Sequence, residues 1–213
     1  MAGLANFSGR AGKSAALALV AAVAMWPAAL RAQTDSPAAK TVTQFHDGLL
    51  DVMKQAKQLG FEGRAKKLEP LLDKTFDLPL MARLAVGPQW SSLTPDQQKK
   101  LSDAFRRLSI ATFAGRFDGY EAGQKFETLG QSPVEGSSDV TVDTRLVQPK
   151  DTPVKLSYRM RPTGADWKAI DVYLDSAISE LATRRQEFSS VLRSSGPDAL
   201  LAVMDKKAAE QKN

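Results

Sequence analysis

Two polar side chains interrupt apolar patterns late in the sequence, and they are the residues most able to do chemistry. Asp171 shares a predicted strand face with Trp167 and Tyr173, and Arg185 is in helical register with Phe188. A carboxyl group among apolar side chains can act as a base, and an arginine at a cavity mouth can bind the polar end of a ligand. Alternatively, both residues are structural: they cap the junction between a strand and a helix, or pair with each other.

Other groups that support catalysis are scarce. The sequence has no nucleotide-binding loop, nucleophile elbow or paired metal-ligand motif. It has no cysteine, which excludes disulfides, thiolate metal sites and a thiol nucleophile. The only histidine, His46, is expected to be partly exposed on an early polar helix. We therefore expect no metal, no cofactor and no catalytic residue; the enzyme alternative requires Asp171 to work with Tyr158 or Tyr173.

The net charge gives no indication of a nucleic-acid partner. The chain has 213 residues and a formal charge of +5, but Arg10, Lys13 and Arg31 fall within the first 32 residues, which contain no acid. Taking these three from the 29 basic residues leaves 26 against 24 acidic residues, a charge of only +2. A nucleic-acid-binding domain needs a stronger basic patch.

The first 32 residues are typical of a cleavable secretory leader. Two basic residues precede an apolar run at residues 15–29, and Leu30-Arg31-Ala32 ends in a small residue. The run is short for a membrane span, although Leu30 is not ideal for cleavage and leaves an uncleaved anchor as the alternative. Either way the sequence predicts a periplasmic location. Residues 33–205 are predicted to form one domain, and residues 206–213 a frayed tail.

The N-terminal half predicts helices. Ser36-Pro37 begins a helix that Gly60 ends after about residue 59, and a second helix over about residues 62–74 contains Pro70 as a kink or break. A short helix follows, and then Thr94-Pro95-Asp96-Gln97 forms a capping box for a helix that extends to about Tyr120. Because that helix is apolar on two sides, it is covered on two sides or borders something besides the core.

The C-terminal half predicts an antiparallel meander of four strands, at about residues 125–131, 139–148 and 153–161 and in the first half of residues 165–188. The second half of residues 165–188 changes to a helical period. A final short helix is expected to begin at Gly196-Pro197-Asp198.

Helices facing an apolar sheet face form a cone that either closes as a core or keeps a hydrophobic cavity. For each side chain that could line such a cavity, ordinary core packing is the alternative. The candidates are Phe76, Leu84, Trp90, Phe105, Leu108, Phe113, Phe117, Val142, Leu156, Tyr158, Met160, Trp167 and Phe188.

Several of these residues also belong to motifs that occur together in one family. The motifs are Phe76-Asp77, Gly87-x-x-Trp90, Thr94-x-x-Gln97, Phe105, Trp167-Lys168, Asp171-Val172, Ile178-Ser179 and Arg185-x-x-Phe188. Over about residues 40–205 the chain resembles the MlaC family of periplasmic lipid-binding proteins. The segment ISELATRRQEF, in which Thr183-Arg184 precedes Arg185, is most similar to the hopanoid-associated HpnM branch.

The resemblance implies an MlaC-like (NTF2-like) α+β fold, in which a twisted antiparallel sheet and helices surround a hydrophobic cavity. It also implies a shuttle that exchanges a hopanoid or a phospholipid with an inner-membrane transporter complex and an outer-membrane acceptor complex. It supplies no catalytic residue. The alternatives are a scaffold or adaptor with a filled core and the enzyme based on Asp171.

Overall fold

The computed structural model describes residues 34–212, so the expected leader lies outside the described residues. In chain order the elements are α1 Pro37–Lys54, α2 Ala56–Thr75, α3 Leu78–Val86, a 3-10 helix Gly87–Ser92, α4 Pro95–Arg116, β1 Lys125–Pro133, β2 Val140–Val147, β3 Val154–Thr163, β4 Asp166–Leu174, β5 Ile178–Ser179 and α5 Glu180–Glu210. The order confirms the α+β class. Among the helices of residues 34–212, none has the length and apolar character needed to cross a membrane.

The sheet has five strands, not the predicted four. Its order is β1-β2-β3-β4-β5, and each strand pairs antiparallel with its sequence neighbour. The fifth strand forms because Asp175 and Ser176 have φ values of 49° and 59°, which turn the chain so that Ile178 pairs with Leu174. Glycine and asparagine are the residues most favoured in such a left-handed turn, and neither occurs here. Aspartate also tolerates this conformation, so Asp175 was only a weak sequence signal.

A bulge in β4 changes which side chains face the helices. Asp171 and Ala169 pair with adjacent residues of β3, which leaves Ile170 as the extra residue. An extra residue shifts the alternation of a strand by one position. Trp167 and Ala169 therefore lie on the helix-covered face, whereas Asp171 and Tyr173 lie on the opposite face. The prediction that Asp171 and Tyr173 share a face with Trp167 is wrong.

Two helix boundaries near the N-terminus also differ from expectation. The first helix ends at Lys54, because Gln55 leaves the helical region (φ −100°, ψ 5°). Gly60, the predicted stop, instead bends α2 with a φ of 60°. A kink or a break was expected at Pro70, and the break does not occur because α2 continues through this residue. Leu68 and Leu72 on either side are fully buried, and their packing offsets the backbone hydrogen bond that proline cannot donate.

The predicted capping box of α4 is confirmed. The Gln97 amide donates to Thr94 Oγ1 at 3.3 Å, and the Thr94 amide donates to Gln97 Oε1 at 2.9 Å. The helix ends at Arg116 rather than at about Tyr120, because Phe117 leaves the helical region with φ −110° and ψ 59°. The start of this helix was therefore predicted better than its end.

Helix α5 continues beyond the positions expected from the sequence. It bends at Gly196 (φ 81°), where a separate short helix was predicted to begin, and it extends to Glu210. Most of residues 206–213 is thus helical rather than frayed. Lys212 Nζ lies 2.7 Å from Glu62 Oε1, so this segment also contacts α2.

His46 is buried, not partly exposed as its polar helix suggested. Helix α1 packs on the sheet beside β1, β2 and β4, and His46 lies on the packed side with 3% of its surface exposed. Its Nε2 is 2.9 Å from the Tyr158 hydroxyl, and its ring stacks on Phe126 at 4.1 Å. Burial lowers the pKa of His46 from 6.5 to about 3.

This burial predicts that the fold loses stability in mild acid. His46 stays neutral in the folded chain down to about pH 3, whereas the unfolded chain takes up the proton below pH 6.5. Each pH unit within that window lowers the free energy of unfolding by about 1.4 kcal/mol, or about 2 kcal/mol between pH 6.5 and pH 5. Urea denaturation of the wild type and His46→Gln at both pH values measures this difference. An equal pH dependence in the two proteins would contradict the assignment.

Candidate binding cavity

An apolar cavity of about 310 Å³ lies between the sheet and the helices. This volume is at the lower end of the range of about 300–1,000 Å³ for small-molecule sites. The walls are formed by Leu72, Phe76, Leu78, Met81, Phe105, Ser109, Thr112, Phe113, Arg116, Phe117, Leu146, Val154, Leu156, Tyr158, Val172, Leu174, Glu180 and Arg184.

Alternation along the strands supplies one wall of the cavity. Leu156 pairs with Leu174 and Tyr158 with Val172 across β3 and β4, and residues that pair directly share a sheet face. Without the bulge, Val172 and Leu174 would face away from the helices. The bulge at Ile170 is therefore necessary for this wall.

Helix α4 supplies the opposite wall from one of its faces. Phe105, Ser109, Thr112, Phe113 and Arg116 are spaced at three- and four-residue intervals and line the cavity together. Other residues of this helix pack into the core, among them Leu101, Ala104 and Leu108. Helix α4 thus borders both the cavity and the core.

The structure brings together about half of the residues that the sequence suggested for a cavity. Those that line it are Phe76, Phe105, Phe113, Phe117, Leu156 and Tyr158. Those that are buried in the core instead are Leu108, Val142, Met160 and Phe188, and Trp167 packs against the core while partly exposed.

The remaining two candidates, Leu84 and Trp90, lie in a second and more open depression of about 350 Å³ with Arg83, Gly87 and Arg185. Gly87 has a φ of 81°, and a Cβ at that position would lie 3.3 Å from Arg185 Nε. Glycine therefore lets the Arg185 side chain lie against the backbone here. Arg185 is exposed and does not line the apolar cavity.

Some wall residues were missed for identifiable reasons. Val172 and Leu174 were assigned to the wrong face because the bulge is invisible in the sequence. Leu146 could have been identified as a wall residue, because it alternates in register with Val142 along β2. Arg184 was missed because the resemblance directed attention to its neighbour.

Three charged side chains lie at one end of the cavity. Arg116 Nη1 is 3.0 Å from Glu180 Oε1, and the side chains of these two residues are 51% and 23% exposed. Arg184 lies further in: its guanidinium is 5.7 Å from the centre of the Phe105 ring, and its Nη2 is 3.4 Å from Thr112 Oγ1. Burial lowers the pKa of Arg184 from its ordinary value. We call this end, defined by Arg116, Glu180 and Arg184, the cavity mouth.

Asp171 lies at the junction of β4 with α5, not in the cavity. Its Oδ1 accepts the amides of Val172 at 2.8 Å and Leu181 at 3.1 Å, and its Oδ2 accepts the Ser179 hydroxyl at 2.6 Å. It thus satisfies the Leu181 amide, which the start of α5 would otherwise leave unpaired. These contacts fit the structural alternative for Asp171, although its partner is the backbone and Ser179 rather than Arg185.

Asp171→Ala is therefore expected to destabilise the fold. The substitution leaves the Leu181 amide and the Ser179 hydroxyl without their acceptor, which should lower the free energy of unfolding by about 2 kcal/mol. Chemical denaturation measures this loss, with Asp166→Ala at an exposed position of the same strand as the control. A variant as stable as that control would show that the junction does not need the carboxylate.

In this protein an antiparallel sheet and the helices that cover it enclose an apolar cavity. The fold and the cavity therefore place it among α+β proteins with a hydrophobic pocket. Within residues 34–212 no cluster of histidine, aspartate and glutamate side chains could hold a metal ion. The family model described as MlaC protein matches residues 43–206, and the chain belongs to the MlaC family.

One similar solved structure is the phospholipid-binding protein from Ralstonia solanacearum in complex with a phospholipid. The two chains are 26% identical with a TM-score of 0.68, and the match covers 84% of this chain and 100% of that chain. A search of the curated proteins found no match.

Proposed function

We propose that this protein is a periplasmic lipid carrier. The observation that carries the proposal is the cavity of about 310 Å³, which has aromatic and aliphatic walls and charged side chains only at its mouth. Membership of the MlaC family supports it, as does the phospholipid bound to the similar Ralstonia solanacearum protein.

The chemistry of the walls suits a carrier because apolar burial alone gives moderate affinity. Covering about ten methylene groups at ~0.8 kcal/mol each contributes ~8 kcal/mol. This corresponds to roughly micromolar binding before the costs of ordering are subtracted. A carrier must also release its cargo, and few polar contacts make release easier. A scaffold with a filled core would not need such a cavity.

The finer parts of the proposal concern location, partners and cargo. Residues 1–32 would direct the chain to the periplasm and be cleaved, leaving residues 33–205 as the lipid-binding domain. The carrier would exchange lipid with an inner-membrane transporter complex and an outer-membrane acceptor complex. The cargo would be a phospholipid, as in the Ralstonia solanacearum protein, or a hopanoid, as the resemblance of ISELATRRQEF to the HpnM branch suggests.

Analysis of lipids that co-purify from the native host tests the proposal. Protein purified without detergent should release about one lipid per chain on solvent extraction, identified by mass spectrometry. The fraction of folded protein is checked by circular dichroism. Folded protein that is persistently free of lipid would contradict a carrier function.

A further inference from the structure

The Arg184 guanidinium at the cavity mouth has fewer partners than a partly buried cation requires. Its polar contact is the 3.4 Å approach to Thr112, and its flat face lies over Phe105. Among residues 34–212 no carboxylate forms an ion pair with it. A guanidinium carries several N–H donors in a fixed planar arrangement, so most of the Arg184 donors have no acceptor within residues 34–212.

The nearby carboxylates are already paired. Glu180 pairs with Arg116 at 3.0 Å, and Glu187, on the next turn of α5, pairs with Lys207 at 2.9 Å. Two guanidinium groups and one carboxylate at the mouth leave a net charge of +1 there. Removing a charge from water is costly unless a partner compensates for it.

A ligand can supply the missing partner. Arginine binds phosphate and carboxylate groups through two parallel N–H···O bonds, and such charge-assisted bonds are stronger than neutral ones. A lipid whose chains fill the apolar part of the cavity would have its polar end at the mouth. An anionic group at the polar end of the lipid would therefore lie beside the positively charged mouth.

We propose that Arg184 binds the phosphodiester of a phospholipid and selects lipids that carry one. The inference rests on the proposed lipid-carrier function and specifies its cargo. A neutral triterpenoid would leave the guanidinium without an anion, so this selection disfavours a neutral hopanoid. The sequence suggested this role for Arg185 as one of two alternatives, and Arg185 is exposed in the second depression.

A competition between two lipids that differ only in the head group tests the proposal. Delipidated protein is mixed with equal amounts of dioleoylphosphatidylglycerol and dioleoylglycerol, and native mass spectrometry measures the two adducts. The wild type should prefer the phospholipid by about tenfold or more, equivalent to about 1.4 kcal/mol. Arg184→Met should reduce that preference to about twofold or less while still binding dioleoylglycerol.

Two further variants make the result specific. Arg185→Met removes the neighbouring charge and should leave the preference unchanged. Arg184→Lys keeps the charge without the planar pair of donors and should show an intermediate preference. Circular dichroism of each variant verifies folding.

The outcomes separate this proposal from the carrier function. Equal binding of both lipids by the wild type, or an unchanged preference in Arg184→Met, would overturn head-group selection by Arg184 and leave the carrier function standing. Binding of neither lipid by folded wild type would overturn both.

Discussion

Replacing Ser109 by tryptophan should abolish lipid binding and leave the fold intact. Ser109 lines the cavity from α4, and its hydroxyl donates only to the Phe105 carbonyl of its own helix, at 2.8 Å. An indole at this position would project into the 310 Å³ space. Excluding about five methylene groups of an acyl chain removes about 4 kcal/mol of burial, which corresponds to a loss of affinity of about a thousandfold.

The matched control is Ser190→Trp, the same substitution at an exposed position of α5 outside the cavity. Isothermal titration of delipidated protein with a short-chain phospholipid measures the affinity of both variants. The control should bind as the wild type does. Equal binding by Ser109→Trp would mean that the ligand occupies another part of the molecule.

The second large effect is expected at Phe188, which the sequence suggested as a cavity residue. The structure places it in the core, fully buried, with its ring perpendicular to that of Phe105 at 6.5 Å. Phe188→Ala removes this packing between α4 and α5 and leaves a void. The free energy of unfolding should fall by about 3–5 kcal/mol.

Denaturation with urea measures this loss, and Phe117→Ala is the comparison because Phe117 is only partly buried and does line the cavity. Phe117→Ala should lower the free energy of unfolding less than Phe188→Ala does. Under conditions in which both variants are folded, Phe117→Ala should weaken lipid binding more. If Phe188→Ala instead cost less stability and weakened lipid binding more, Phe188 would belong to the binding site.

The sequence predicts those parts of the fold that depend on local signals. The Thr94 capping box needs only four adjacent residues, and its hydrogen bonds are as expected. Most of the meander follows from alternation along each strand. The two apolar sides of α4 indicated that this helix is covered on two sides or borders something besides the core, and the cavity fits the second alternative. These features require no knowledge of distant residues.

Other parts depend on contacts between distant residues. The bulge at Ile170 is set by the pairing of β4 with β3 and reverses the faces of Asp171 and Val172. His46 is buried because α1 lies on the sheet, where Tyr158 supplies a polar partner. Composition and helical position cannot reveal either contact.

The distinction between Arg184 and Arg185 shows how precisely a sequence motif can identify the residue at a binding site. Adjacent residues on a helix point in directions about 100° apart. A family motif therefore marks the correct turn of α5, and only the packing of that turn decides which arginine lies at the cavity mouth. The structure places Arg184 there and Arg185 beside Gly87.

The most direct test of the lipid-carrier proposal is native mass spectrometry of the mature protein with added phospholipid and added hopanoid. The proposal predicts a one-to-one adduct that forms in the wild type and is lost in Ser109→Trp, and the phosphodiester selection predicts the phospholipid as the preferred adduct. A folded wild-type protein that forms no adduct with either lipid would contradict the function proposed for the cavity.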